Sequence, residues 1–186
     1  MFRRFELLEL LAPTLKENAL VVCNIGFPSQ ELYQIDDNDT FFYMLGSMGL
    51  ASSIGLGLSR TTDKKVVSID GDGSVLMNLG TLATIGNEAP DNYILLIVDN
   101  GAYGSTGDQA TYTSGKTNLA DMARAAGCDK VTEVKEKDTL GTLETCLNEP
   151  GPHIIVSKVE AGSPKLTPIP LPPAVIRERF KRAVRS

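Results

Sequence analysis

Apolar residues along this chain fall into two alternating patterns. Strand-like stretches occur at 19–25, 65–69, 93–98, 131–134 and 154–159. Of these, the runs at 65–69 and 93–98 read as strands buried on both faces of a sheet. Between the runs, residues 74–87, 119–126 and 139–147 carry helical patterns. Phe5, Leu8, Leu11 and Leu15 recur at helical spacing and set an opening amphipathic helix. Strands alternating with helices predict a parallel sheet with crossover helices, an α/β fold in three layers. Residues 41–45 are strand-like, and 47–58 are rich in Gly, Ala and Ser, which lets a helix lie close against a neighbour or a ligand. Gly26-Phe27-Pro28 is a turn, the acidic stretch 36–39 a solvated loop, and 164–173 an extended proline-rich segment. A basic helix at 174–184 follows, whose charges (Arg177, Arg179, Lys181, Arg182, Arg185) read as a solvated face. With 186 residues, no repeat and no linker, one domain spanning 1–186 is expected.

Charge narrows the function classes. A net charge of −5 argues against a nucleic-acid partner. No apolar run reaches the roughly 20 residues of a spanning helix, and the longest candidate, 41–58, is broken by Gly46, Gly49, Gly55 and Gly57. No signal-peptide pattern is read at the start, so a cytoplasmic protein without membrane contact is expected. Cys23, Cys128 and Cys146 are too far apart for a zinc pair, and Cys23, inside an apolar run, reads as a buried thiol. The single histidine, His153, opens a strand and reads as structural. Catalysis must therefore rest on something other than histidine.

The chemistry-bearing residues lie just after two of the strands. Ligands of open parallel sheets bind at the carboxyl ends of the strands. The run at 65–69 leads into Asp70-Gly71-Asp72-Gly73-Ser74, and the run at 93–98 leads into Asp99-Asn100-Gly101. Gly71 and Gly73 let backbone approach a ligand, with the amides from Ser74 onward facing it. A hairpin reading of Asp-Gly fails because a helical pattern follows Ser74. A dinucleotide fold would use Asp99 as its ribose acid, but Leu76 stands where the third glycine belongs. A carboxylate inside that turn would also repel a pyrophosphate unless a cation lay between them. A metal-bridged diphosphate makes that carboxylate an asset: Asp72 and Asn100 offer hard oxygens suited to Mg²⁺, which takes few protein ligands.

Gly71-Asp72-Gly73-Ser74, followed 26 residues after Ser74 by Asn100, resembles the diphosphate motif of the thiamine diphosphate enzymes. That motif usually ends in two asparagines; here the first position is Asp99. The resemblance implies the fold of their diphosphate-binding domain, thiamine diphosphate and Mg²⁺ as cofactors, and Asp72, Asn100 and the backbone carbonyl of Ala102 as metal ligands. It places Gly46, Ser47 and Met48 against the aminopyrimidine ring, with Met48 as the apolar wedge that bends the cofactor. Tyr103 and Gly104 would complete the cofactor site, and Ser105, Thr106 and Gln109 would face the substrate from the loop 103–113, with Lys116 a source of positive charge. Within the family, Asn24-Ile25-Gly26-Phe27-Pro28-Ser29, the stretch 44–50 and Tyr103-Gly104-Ser105-Thr106-Gly107 are similar to sulfopyruvate decarboxylase beta subunits, and phosphonopyruvate decarboxylases carry similar stretches. The implied activity is decarboxylation of a 2-oxo acid, 3-sulfopyruvate to sulfoacetaldehyde, a step toward coenzyme M.

In that family a glutamate on a separate pyrimidine-binding domain activates the cofactor. Glu31 lies near an early strand, but nothing marks it as that activator, and it reads as an exposed helix residue. The activating glutamate is therefore expected on a pyrimidine-binding alpha subunit, in a hetero-oligomer. A noncatalytic module that binds the cofactor or a nucleotide is the rival from another class.

Overall fold

The computed structural model describes residues 2–186. Its elements run α1 (Arg4–Asn18), β1 (Leu20–Cys23), α2 (Phe27–Ile35), β2 (Phe41–Tyr43), α3 (Ala51–Ser59), β3 (Val66–Gly71), α4 (Asp72–Met77), α5 (Gly80–Glu88), β4 (Tyr93–Asp99), β5 (Ala102–Tyr103), β6 (Gln109–Ala110), α6 (Leu119–Ala125), β7 (Lys130–Lys135), α7 (Thr139–Asn148), β8 (His153–Lys158) and α8 (Pro173–Arg185). Six strands form a wholly parallel sheet in the order β2-β1-β3-β4-β8-β7, and β5 and β6 make a small antiparallel ribbon.

Successive strand residues point to opposite faces, and both faces are covered. Val21, Cys23, Val67, Ile69, Ile94, Leu96 and Ile155 pack under Leu8, Leu11 and Leu15 of α1, Leu32 of α2 and Leu143 of α7. Val22, Val66, Leu95, Ile97, Ile154 and Val156 pack under Leu56 of α3, Val75 of α4, Ile85 of α5 and Leu119 of α6. This is why β1, β3, β4 and β8 are buried almost throughout, whereas the edge strand β7 alternates and is largely exposed. Cys23 is buried, as its apolar run predicted.

Three readings of the pattern need correction. The helical stretch at 74–87 is two helices, α4 and α5. The break falls at Asn78, whose Nδ2 donates to the Gly49 carbonyl (3.0 Å) and to Ser53 Oγ (3.1 Å), a competition with helix that asparagine side chains favour. The stretch at 47–58 turns helical only at Ala51; Ser47 (φ 64°) and Gly49 (φ 90°) hold the preceding loop in left-handed conformations. Finally, the acidic loop and the basic last helix are not independent solvated surfaces. Arg179 of α8 binds Asp37 through two nitrogens (3.0 Å each) and Asp39 through Nε (2.5 Å). With Phe180 against Phe42 (ring centroids 5.3 Å apart), that clamp lays α8 over the edge strand β2, which protects an otherwise open edge. Among the described residues no helix is long and apolar enough to cross a membrane.

Candidate functional site

The sheet order reverses direction between β1 and β3: the chain goes outward from β1 to β2, then returns to add β3 on β1's other side. Loops leaving neighbouring strands on opposite sides of such a switch point diverge and open a crevice at their carboxyl ends. A cavity of roughly 180 Å³ lies there. Its walls are Asn24, Ile25, Gly26 and Pro28 after β1, Gly71 to Ser74 after β3, and Val98, Asn100 and the segment Ala102 to Thr106 after β4, joined by Met48 and Arg4. Because Gly71 is in register with Val98 across β3 and β4, Asp72 and Asn100 leave adjacent strand ends side by side.

Asp72 is buried. Thr111 Oγ1 lies 2.5 Å and Thr113 Oγ1 2.8 Å from its Oδ2, and the Asn100 backbone also hydrogen-bonds the carboxylate. Thr113 Oγ1 is also 2.8 Å from Asp99 Oδ1, so two buried carboxylates compete for its single proton. Lys158 Nζ neutralises Asp99 at 2.5 Å; no ion pair among the described residues includes Asp72. Burial pushes the Asp72 carboxyl above its ordinary range, Asp99 adds to the push, and the threonine hydroxyls oppose it. Beneath it Asp70 accepts from the Gly71 amide (3.0 Å), keeps Oδ2 buried without a partner among the described residues, and is pushed up to about 6 by burial. Three carboxylates therefore converge on these strand ends with one lysine among them. Among the described residues no three acidic, histidine or cysteine side chains form a metal cage. A single carboxylate, an amide oxygen and a carbonyl suit an ion that leaves its other positions to phosphate and water, so the donor set fits Mg²⁺.

The glycines divide into distinct jobs. A Cβ on Gly73 would overlap the Tyr103 ring, so that ring closes down on bare backbone. A Cβ on Gly71 would meet only Asn24 Nδ2, at 3.9 Å. Ser74 lines the cavity and also accepts from the Gly49 amide through Oγ (2.9 Å), which, with Asn78, fastens the 46–50 loop to α4. Of the residues picked out by sequence, Met48, Gly71 to Ser74, Asn100, Ala102, Tyr103, Gly104, Ser105 and Thr106 line the cavity; Gly46, Ser47 and Gln109 do not. Gln109 instead exchanges hydrogen bonds with Thr106 at 3.0 and 2.9 Å, bracing the exposed ribbon. Lys116 is exposed and does not line the cavity. His153 starts β8, at the end of the sheet opposite the cavity.

Glu31 is the clearest correction. It is fully buried, with its carboxylate paired to Arg4, Nε at 2.7 Å and Nη2 at 2.9 Å. Sequence pattern missed both: Glu31 read as an exposed helix residue, and a pair 27 residues apart leaves no local signal. Thr111 and Thr113, which hold Asp72, were also missed, since isolated threonines in a loop look like any polar surface.

Residues 24–157 match the family model described as thiamine pyrophosphate enzyme, C-terminal TPP binding domain. The chain belongs to the thiamine pyrophosphate enzymes. It is 45% identical over 183 residues to sulfopyruvate decarboxylase subunit beta of Methanocaldococcus jannaschii, covering 98% of this chain and 97% of that protein. It is 42% identical to phosphonopyruvate decarboxylase of Streptomyces viridochromogenes over 97% of this chain but 46% of that protein. A solved thiamin diphosphate-dependent enzyme from Mycobacterium smegmatis superposes with a TM-score of 0.70 at 20% identity, over 87% of this chain and 32% of that one. That likeness confirms the three-layer fold the hydrophobic pattern predicted.

Proposed function

We propose that the whole chain is the diphosphate-binding beta subunit of a thiamine diphosphate- and Mg²⁺-dependent 2-oxo acid decarboxylase acting on 3-sulfopyruvate in coenzyme M synthesis. The observation that carries this is the coincidence of near full-length identity to sulfopyruvate decarboxylase subunit beta with Asp72 and Asn100 side by side at the carboxyl ends of β3 and β4. When bound, the cofactor supplies an electron sink for loss of carbon dioxide. The chain's own residues bind and orient. Asp72, Asn100 and the Ala102 carbonyl would hold the metal, while Thr111 and Thr113 fix the Asp72 carboxylate through Oδ2. Met48, half-buried on the cavity wall, would supply the apolar wedge against the cofactor. Ser105 and Thr106 offer neutral hydrogen bonds on the substrate side.

A cavity of roughly 180 Å³ is smaller than the 300–1,000 Å³ usual for drug-sized ligands. A site of which this chain makes one wall accounts for that shortfall; the other wall, with the activating glutamate, belongs to a pyrimidine-binding alpha subunit. A second reading, phosphonopyruvate decarboxylase, draws on the 42% identity to the Streptomyces enzyme. Purified complex with Mg²⁺ and cofactor, assayed for carbon dioxide release from sulfopyruvate, phosphonopyruvate and pyruvate, decides between them. Fastest turnover of sulfopyruvate is expected; a preference for phosphonopyruvate installs the second reading, and no release from any of the three removes the enzyme reading.

A further inference from the structure

We propose that Arg4 is a diphosphate-binding residue, a cation that this chain sets into the cofactor cavity from α1 and that Glu31 aims from behind. The inference rests on the cofactor reading above and adds a ligand contact to it. Among the residues lining the cavity Arg4 is the one cation and Asp72 the one carboxylate. They come from different layers: Arg4 opens α1 on one face of the sheet, and Asp72 opens α4 on the other.

Arg4 is almost wholly buried, yet its donors are not all used. Nε and Nη2 are taken by Glu31, and Nη2 also donates to Ser163 Oγ at 2.6 Å. Nη1 makes no hydrogen bond among the described residues, and it is not one of the buried polar atoms shut off without a partner. One nitrogen of a fixed guanidinium thus stays open to a ligand. A fork held by a carboxylate on one edge loses little freedom when its other edge takes a phosphate oxygen, the geometry for which arginine is suited and lysine is not.

Charge balance gives the contact its purpose. A diphosphate ester and Asp72 together carry more negative charge than one divalent cation neutralises. Glu31 cancels the net charge of Arg4 at a distance, which makes the pair tolerable when no ligand is present. The pair leaves a local dipole whose positive end lies in the cavity. A tie between α1 and α2 alone would not require the guanidinium to reach the cavity wall, nor Nη1 to remain open.

The test is calorimetric titration of Mg²⁺–thiamine diphosphate, and separately of Mg²⁺–inorganic diphosphate, into the complex of this chain with its pyrimidine-binding partner. Arg4→Gln is expected to lose about tenfold or more in affinity for both ligands, the loss of one charge-assisted hydrogen bond, and Arg4→Lys to recover part of it. Should Arg4→Gln leave Glu31 unpaired and the protein unfolded, Arg4→Gln with Glu31→Gln removes both charges and is read by its affinity alongside its ligand-free Tm. A double variant that binds both ligands as the wild type does overturns the assignment and leaves Arg4 a structural tie. Wild-type complex that binds neither ligand overturns the cofactor reading and Arg4's role with it. Wild-type binding without carbon dioxide release removes only the reaction, and the Arg4 contact stands.

Discussion

Asp72 carries opposite demands in the empty and the loaded site. Without a cation it is a buried carboxylate that shares Thr113 with Asp99 and lacks a counter-ion, while Asp99 has Lys158. With Mg²⁺ bound as proposed, the same charge would become the anchor. Asp72→Asn should therefore separate stability from function. Ligand-free Tm is expected to hold or rise, because a buried like-charge contact disappears. Mg²⁺-dependent affinity for thiamine diphosphate should fall by about 100-fold or more with loss of the one carboxylate ligand. Titration calorimetry beside thermal melts reads both, and unchanged affinity would show that the metal sits elsewhere. His153 makes a separate prediction at the far end of the sheet. Its Nε2 is buried without a partner among the described residues, and burial, with Lys130 and Lys65 nearby, lowers its pKa from the usual 6.5. The unfolded chain then takes up the proton first, so the contribution to stability is present above about pH 6.5 and is lost as pH falls through that value toward the lower folded one. His153→Gln should flatten the fall of Tm between pH 7.5 and 5.5; a parallel curve would remove the histidine from the account.

At the scale of elements, α3 separates what small residues are for. The run of Gly, Ala and Ser at 47–58 was read as allowing close approach to a neighbour or a ligand. The neighbour is β3: a Cβ on Gly55 would overlap Ser68 Oγ and lie 3.0 Å from the Tyr93 ring. Those groups are tied in place, Ser68 donating to the Ala51 carbonyl (3.0 Å) and Tyr93 to the Ser52 carbonyl (2.8 Å). Gly57, two residues on, meets nothing within 4 Å and is exposed. Alanine should act with opposite sign at the two positions. Gly55→Ala overpacks the interface and is expected to cost about 1–3 kcal/mol. Gly57→Ala gains about 0.5–1 kcal/mol of helix propensity. Denaturant melts of the two single variants check this, and the same sign for both would mean that α3 does not sit where its contacts place it. The break between α4 and α5 belongs to the same scale: Asn78 gives up helix to hold the 46–50 loop, and that loop carries Met48 to the cavity.

For the whole molecule, the surface beside the cavity is unlike the rest. Leu45, Leu50, Ile54 and Met77 are 55%, 41%, 39% and 61% exposed, and all lie on or near the loop and helices around Met48. Scattered apolar side chains are ordinary on a surface, but several along the segment that carries Met48 are what an interaction site would use. The proposed alpha subunit would cover this rim as it closes the site. Met77→Asp or Leu50→Asp should block assembly while leaving the fold of the chain intact, seen as loss of the complex in size-exclusion chromatography with an unchanged circular dichroism spectrum. A complex that forms as before with both variants would place the partner on another face.

The order of strands and helices was legible in the chain because its chemistry is local. Period-two burial on two covered faces writes continuous apolar runs, and helical faces write a period near 3.6. The placing of Asp72 beside Asn100 was legible for the same reason: each follows a readable strand, and parallel pairing of neighbouring strands brings their ends together. What only the tertiary structure decided are the side chains whose roles depend on distant partners. Glu31 looked exposed because its own helix starts at a Gly-Phe-Pro turn and its partner lies 27 residues away. Arg4 enters the cavity, and Thr111 and Thr113 reach Asp72 from about 40 residues downstream, through folding alone. A sequence states which residues share an element. Which of them share a cavity is set by sheet order and packing, and neither leaves a mark at fixed spacing along the chain.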